Sequence, residues 1–247
     1  MATANFTRLS SCSGLHSAGM KALLFSTFLL LAGCGGSVKP TPAVVFVGDS
    51  IFGRLASSAS FNQSGYVNSG VFGQRTDEVL ARFPNILSGK NVCHGFIPAD
   101  GSVSPFPYQC ASLSEPPATV VIFAGWNNFF QGNKGDAIAD LTEMVRLAHV
   151  RGTKVVICTL YAYDPAHPAP WMVPTGNAPV TFYDGWREPL NDGIKAMQNL
   201  PGVSVVDLDS VFASESGYTL DGVHPTDDGN IQLLNGIAQT LNSPTQK

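Results

Sequence analysis

The feature that most restricts how this chain can fold is an alternation. Runs of β-branched and aromatic residues at 44–47, 119–124, 154–160 and 203–208 are separated by segments whose apolar residues recur at helical spacing. Unbroken apolar runs of this length are the mark of strands buried on both faces. Strands that take turns with helices build a parallel sheet covered on either side. Residues 65–70, GYVNSG, read as one further short strand, giving five in all. Helices are expected over 51–60, over 76–87, and around Ile138, Leu141, Val145 and Ala148 with Gly152 as a stop. Two more follow, one over about 183–198 and a closing one carrying Ile231, Leu234, Ile237, Ala238 and Leu241. Pro84 should disturb the second helix, and Pro189 should delay or bend the fourth.

The beginning of the chain follows a different logic. Met20 and Lys21 open a basic start, ALLFSTFLLLAG supplies a short apolar segment, and Cys34 follows small residues. That is the layout of a cleaved export signal, too short to span a bilayer. Leu31-Ala32-Gly33-Cys34 also resembles the lipobox of bacterial lipoproteins, which implies lipid modification at Cys34, a membrane anchor there, and location in the cell envelope. Gly35 after the cysteine permits outer-membrane delivery by the usual sorting pattern, and Met20 offers an alternative start. The expected organisation is thus a leader over 1–33, a Gly/Ser- then Pro-rich tether over 34–42, and a single domain over 43–247.

Of the 14 Lys and Arg, Arg8 and Lys21 leave with the leader, so 12 basic residues face 18 acidic ones, net −6. An acidic chain without basic runs is a poor nucleic-acid binder. Nothing in the pattern fixes an oligomeric state. Among the five cysteines, Cys12 and Cys34 belong to the leader or its end, and Cys158 sits in an apolar strand. Cys93 and Cys110 remain, flanking a Pro/Gly-rich stretch in a compartment that favours oxidation, and a disulfide between them would contribute roughly 3 kcal/mol by loop entropy. No Cys/His group has metal-ligand spacing, so no metal is expected. The irregular block 88–117 is too long for an idle connector and is either functional or covalently held. The second block, 161–182, with Tyr161, Tyr163, Trp171 and Phe182, could shape a pocket wall.

Chemistry gathers at the strand ends. Gly48-Asp49-Ser50 closes the first run, and the carboxyl edge of an open α/β sheet is where ligands bind. Ser50 as nucleophile needs a base and a group to orient that base. His224 has Asp221 three residues earlier on a Gly/Pro-containing loop, a spacing that lets one loop supply both. Donors for a developing oxyanion could come from the amides of Ser50 and Gly73 and from the side chain of Asn127. The plain alternatives are that Asp49 or Ser50 caps a helix, that Asp221 and His224 cap the last one, and that Gly70 and Gly73 only permit positive φ.

Taken in order, GDS at 48–50, NSGVFG at 68–73, GWN at 125–127 and DGVHP at 221–225 resemble the four blocks of the SGNH, or GDSL, hydrolase superfamily. The resemblance implies a flavodoxin-like three-layer α/β/α sandwich with a five-stranded parallel sheet, and a serine esterase mechanism without a cofactor. It assigns Ser50 as nucleophile, His224 as base and Asp221 as its orienting acid, with Ser50, Gly73 and Asn127 as the oxyanion hole. Gly73 is preferred to Gly70 because it lies five residues after the matched Asn68. The third block usually reads G-x-N-D, so Asn128 is a departure that should alter local hydrogen bonding without removing activity. The substrate would be a small-molecule, glycan or lipid ester. The alternative is an inactive scaffold of the same fold that binds glycan or lipid.

Overall fold

The computed structural model describes residues 43–96, 107–164, 166–167, 180–213 and 217–243, without side chains at 180–182. The chain divides between Lys39 and Pro40, and all described residues belong to the second unit. The leader, Cys12, Cys34, the tether and Trp171 lie outside them.

Along the chain, β1 (Val44–Gly48) leads into α1 (Ser50–Leu55) and α2 (Ala59–Ser64), then β2 (Val67–Gly70) and α3 (Thr76–Leu87). A hairpin of β3 (Val92–Gly95) and β4 (Tyr108–Ala111) precedes β5 (Thr119–Phe123), α4 (Trp126–Phe130), α5 (Ala137–Val150) and β6 (Lys154–Cys158). The chain closes with α6 (Val180–Ala196), β7 (Val203–Val206), α7 (Leu208–Phe212) and α8 (Asp227–Asn242).

Five strands form one parallel sheet in the order β2-β1-β5-β6-β7. This is the flavodoxin-like arrangement, in which the chain leaves β1 for β2 on one side and later adds β5 on the other. The connections therefore diverge at the carboxyl ends of β1 and β5, the switch point at which open α/β sheets bind ligands. The apolar runs become the core for the reason that made them legible: Val45, Phe46 and Val47 of β1, Val120 to Phe123 of β5 and Ile157 of β6 are sealed on both faces. Phe46 packs its ring against Phe52, Phe61 and Tyr66 at 5.1 to 5.2 Å, fixing α1 and α2 to the sheet. Among the described residues no helix is long and apolar enough to cross a membrane.

Several elements differ from expectation. The helix expected over 51–60 is two helices, because Ser58 caps α2 by accepting the Phe61 N–H. Pro84 does not break α3, which runs three residues past it, and the burial of Val79, Phe83 and Ile86 outweighs one lost backbone bond. Pro189 likewise sits inside α6, whose start is earlier than expected. The 88–117 block contains a hairpin in which Cys93 faces Cys110, and the two are joined by a disulfide. Cys158 is a buried free thiol.

Candidate active site

β1 ends at Gly48, and the next residue, Asp49, is the N-cap of α1, its Oδ1 accepting the Ile51 N–H at 3.0 Å. Ser50 therefore begins the helix at the carboxyl edge of the sheet. The capping reading and the site reading are both satisfied, by adjacent residues.

The loop from Tyr218 to Pro225 supplies the opposite wall. Asp221 Oδ1 accepts the backbone N–H of His224 at 2.8 Å while its Oδ2 lies 2.7 Å from the ring Nδ1. One carboxylate thus fixes both the main chain and the ring of the same histidine. With Nδ1–H donated to Asp221, Nε2 keeps its lone pair, and it lies 2.8 Å from Ser50 Oγ. Burial would raise the Asp221 pKa, but the His224 ring and the His224 and Val223 amides together hold it below the ordinary 3.8. The structure thus brings together Ser50, His224 and Asp221, with His224 only 6% exposed.

The loop is braced from outside. Tyr161 donates its hydroxyl to Val223 O, and the Asp164 N–H donates to Gly222 O at 2.9 Å. Thr219 donates from Oγ1 and N to the buried carboxylate of Asp164 at 3.1 and 3.3 Å.

On the other side of Ser50, the two glycines separate by what each can do. Gly70 donates its N–H to Asn68 Oδ1 at 2.8 Å, and a Cβ there would stand 2.2 Å from the Gly53 nitrogen. It is a packing glycine with a committed donor. Gly73 has φ +74 and open space where a Cβ would be, so the backbone conformation is what requires glycine. Asn127, in the first turn of α4, directs its amide to Gln74 O at 3.0 Å and to Asp49 Oδ2 at 3.4 Å. Gln131, one turn on, donates to Gly73 O at 2.7 Å. α4 therefore grips the 73–75 loop from one side.

Asn128 uses its amide where an aspartate could not. Its Oδ1 accepts the Thr76 N–H at 3.0 Å, and its Nδ2 donates to Thr76 Oγ1 and to Lys134 O, each at 2.9 Å. It staples the start of α3 to the end of α4, which accounts for the departure noted in the third block.

Two charged groups stand behind the site: Asp49, read from the sequence only as a possible helix cap, is fully buried, and Arg82, which sequence reasoning missed, is half-buried. Burial pushes the Asp49 carboxyl up to about 7, against the Ile51 N–H, the Arg82 charge and the Asn127 amide. Burial also pushes the Arg82 guanidinium down to about 10, against the charge of Asp49. Arg82 was detectable: it falls between Val79 and Phe83 on the apolar face of α3, where a charge needs a reason. Among the described residues no group of His, Cys, Asp and Glu is placed to hold a metal ion.

The comparisons with known proteins agree with this architecture. The profile of the GDSL-like Lipase/Acylhydrolase family matches residues 32–230. A proposed acylhydrolase from Bacteroides fragilis NCTC 9343 is 27% identical, with 83% of this chain and 88% of that one covered and a TM-score of 0.59. A GDSL-like lipase from Bacteroides thetaiotaomicron VPI-5482 is 23% identical, covering 80% and 86%, at a TM-score of 0.55. A mutant of an acetyl-xylooligosaccharide esterase from Geobacillus Stearmophilus is 15% identical, covering 82% and 95%, at a TM-score of 0.53. No curated protein sequence matches the chain.

Proposed function

The chain belongs to the GDSL-like lipase/acylhydrolase family, and we propose that it hydrolyses carboxylic esters through a Ser50 acyl-enzyme, exported to the bacterial cell envelope and lipid-anchored at Cys34 in the outer membrane or facing the periplasm. The observation that carries the reading is the continuous hydrogen-bonded chain from Ser50 Oγ through His224 to Asp221, at the carboxyl edge of a parallel sheet. Ser50 Oγ attacks the ester carbonyl carbon as its proton passes to His224 Nε2. Asp221 stabilises the resulting imidazolium without taking the proton. The carbonyl oxygen becomes an oxyanion, received by the N–H groups of Ser50 and Gly73 and by the Asn127 amide, which turns from Gln74 and Asp49 toward it. Collapse expels the alcohol, which takes the proton from His224. A water then loses its proton to His224 as it attacks the acyl-enzyme carbonyl, and collapse of that intermediate breaks the acyl–Oγ bond, returns the proton from His224 to Ser50 Oγ and releases the acid.

The substrate class is either an O-acetyl group on carbohydrate or a lipid or thioester acyl group. Solved structures of the same fold include both a GDSL-like lipase and an acetyl-xylooligosaccharide esterase, so the choice between the classes falls to experiment. The test is hydrolysis of a p-nitrophenyl ester series, from acetate to long acyl chains, by soluble protein beginning after Cys34, beside Ser50→Ala. Turnover should vanish with the variant, and the chain-length profile separates the two classes. A folded wild type inert across the series and unlabelled by a fluorophosphonate at Ser50 would favour the inactive binding scaffold.

Envelope location is supported by the lipobox-like Leu31-Ala32-Gly33-Cys34. In a bacterial host, Cys34→Ala should move the protein from the membrane to the soluble fraction and abolish incorporation of labelled palmitate. Retention of both in the variant would exclude Cys34 as the anchor.

A further inference from the structure

The mechanism leaves one half-buried cation unused. Arg82, in the middle of α3, donates from Nη2 to Gly48 O at 2.9 Å and to Ser69 O at 2.8 Å, from Nη1 to Ser69 Oγ at 2.7 Å, and from Nε to Gln74 Oε1 at 2.7 Å. All four bonds go to neutral oxygens, and Asp49 acts on the guanidinium through its field alone. Taking a cation out of water for neutral partners costs several kcal/mol, and a leucine or methionine would fill the same apolar face without that cost. Stability does not account for Arg82, so its value lies in what it touches.

It touches three segments beside Ser50 and Gly73: the backbone at the ends of β1 and β2, and the side chain of Gln74. Gly48 ends β1 two residues before Ser50, and its carbonyl also accepts the Val71 N–H at 3.0 Å. Ser69 lies near the end of β2, where its hydroxyl passes the contact on to Cys93 O at 3.0 Å. Gln74 adjoins Gly73, and its carbonyl holds the Asn127 amide. A planar fork makes these contacts at fixed relative positions, which a lysine, as a point donor on a flexible stem, cannot do.

We propose that Arg82 is a positioning residue for the oxyanion hole: by gripping the ends of β1 and β2 and the side chain of Gln74, it sets the separation of the Ser50 and Gly73 amides. The inference rests on the esterase reading above. Its test compares wild type with Arg82→Gln, Arg82→Lys and Gln74→Leu on p-nitrophenyl acetate, with active molecules counted by fluorophosphonate titration. A misplaced hole should lower kcat of Arg82→Gln per titrated site by about 100-fold and leave KM within about three-fold. Binding of a trifluoromethyl ketone, which forms a tetrahedral adduct at Ser50, should weaken in parallel with kcat. Arg82→Lys should recover no more than about a tenth of the lost rate, because it restores charge without the fork. Gln74→Leu, which cuts the loop contact alone, should cost about five- to ten-fold in kcat.

Loss of thermal stability with kcat per titrated site unchanged in every variant would overturn the inference, as would full recovery by Arg82→Lys. If Arg82→Gln does not fold, Arg82→Lys and Gln74→Leu decide by the same criterion. A wild type that neither turns over ester nor takes the fluorophosphonate overturns the esterase reading, and this one with it. An active wild type with indifferent variants overturns this one alone.

Discussion

At the residue scale, the site is a set of polar groups each committed to a partner before any substrate arrives. Asn127 is the sharpest case, since its amide is shared between Gln74 O and Asp49 Oδ2. Asn127→Ala should therefore lower kcat by about 3 kcal/mol of transition-state stabilisation, roughly 100- to 1,000-fold, with little change in KM. Steady-state kinetics on p-nitrophenyl acetate checks this. Asp49 makes a prediction about stability instead. Its folded pKa of about 7 lies above the ordinary 3.8, so between those values the folded chain binds a proton that the unfolded chain has lost. Stability from this group is fully present below about pH 4 and is lost as pH rises to about 7, a difference on the order of 4 kcal/mol. Asp221 has the opposite sign and a separate window, its contribution being lost only as pH falls below the ordinary carboxylate range. Urea midpoints of wild type should fall between about pH 4 and pH 7, and Asp49→Asn should flatten that fall. An unchanged slope in the variant would remove Asp49 as its source.

At the scale of elements, what could be read in the sequence was what repeats. β1, β5 and β6 were legible because their residues are apolar on both faces, and α5 because Leu141, Val145 and Ala148 keep a clean period. The β3–β4 hairpin was not, since its strands have four residues each, β4 is exposed throughout, and a disulfide does the holding that an apolar face would otherwise do. α4 hid inside the GWN block, a five-residue helix with no room for a period. Ser50, Asp221 and His224 were readable as motif; the braces around them, Tyr161 and Asp164, were not, because they reach the loop from distant sequence, whereas Arg82 left a trace as a charge on the apolar face of α3. The loop that carries Asp221 and His224 shows how much such bracing matters. Gly222 has φ +87, and a Cβ on it would stand 2.3 Å from Tyr163 Cε2. Gly222→Ala should cost about 1–2 kcal/mol for the backbone conformation and about 1–3 kcal/mol for the clash. It should also lower kcat, since Gly222 lies between Asp221 and His224. Adding Tyr163→Ala should return the steric part of the stability loss and not the backbone part, a double-mutant cycle read by thermal melting.

At the scale of the whole molecule, the parallel sheet carries the candidate site and the disulfide secures the β3–β4 hairpin. The hairpin leans on the site's own loop: a Cβ on Gly95 would stand 2.9 Å from Phe72, one residue before Gly73, and Cys93 O accepts the hydroxyl of Ser69. Cys93 and Cys110 are separated by 17 residues, so the bond removes a loop of that size from the unfolded ensemble. By loop entropy its loss costs roughly 3 kcal/mol, and for a domain of this size each kcal/mol moves Tm by about 2–4 °C. Reduction should therefore lower Tm by about 6–12 °C. The free thiol does not confuse the measurement, because Cys158 is sealed in β6 and burial pushes its pKa up, away from the reactive thiolate. Scanning wild type and a Cys93→Ser/Cys110→Ser double variant, each with and without dithiothreitol, isolates the bond: reductant should lower Tm of the wild type to that of the variant and leave the variant where it was. A Tm indifferent to reductant in both would mean that packing against Phe72 and Ser69 holds the hairpin without the covalent tie. The folded domain would then be as stable in a reducing compartment as in an oxidising one.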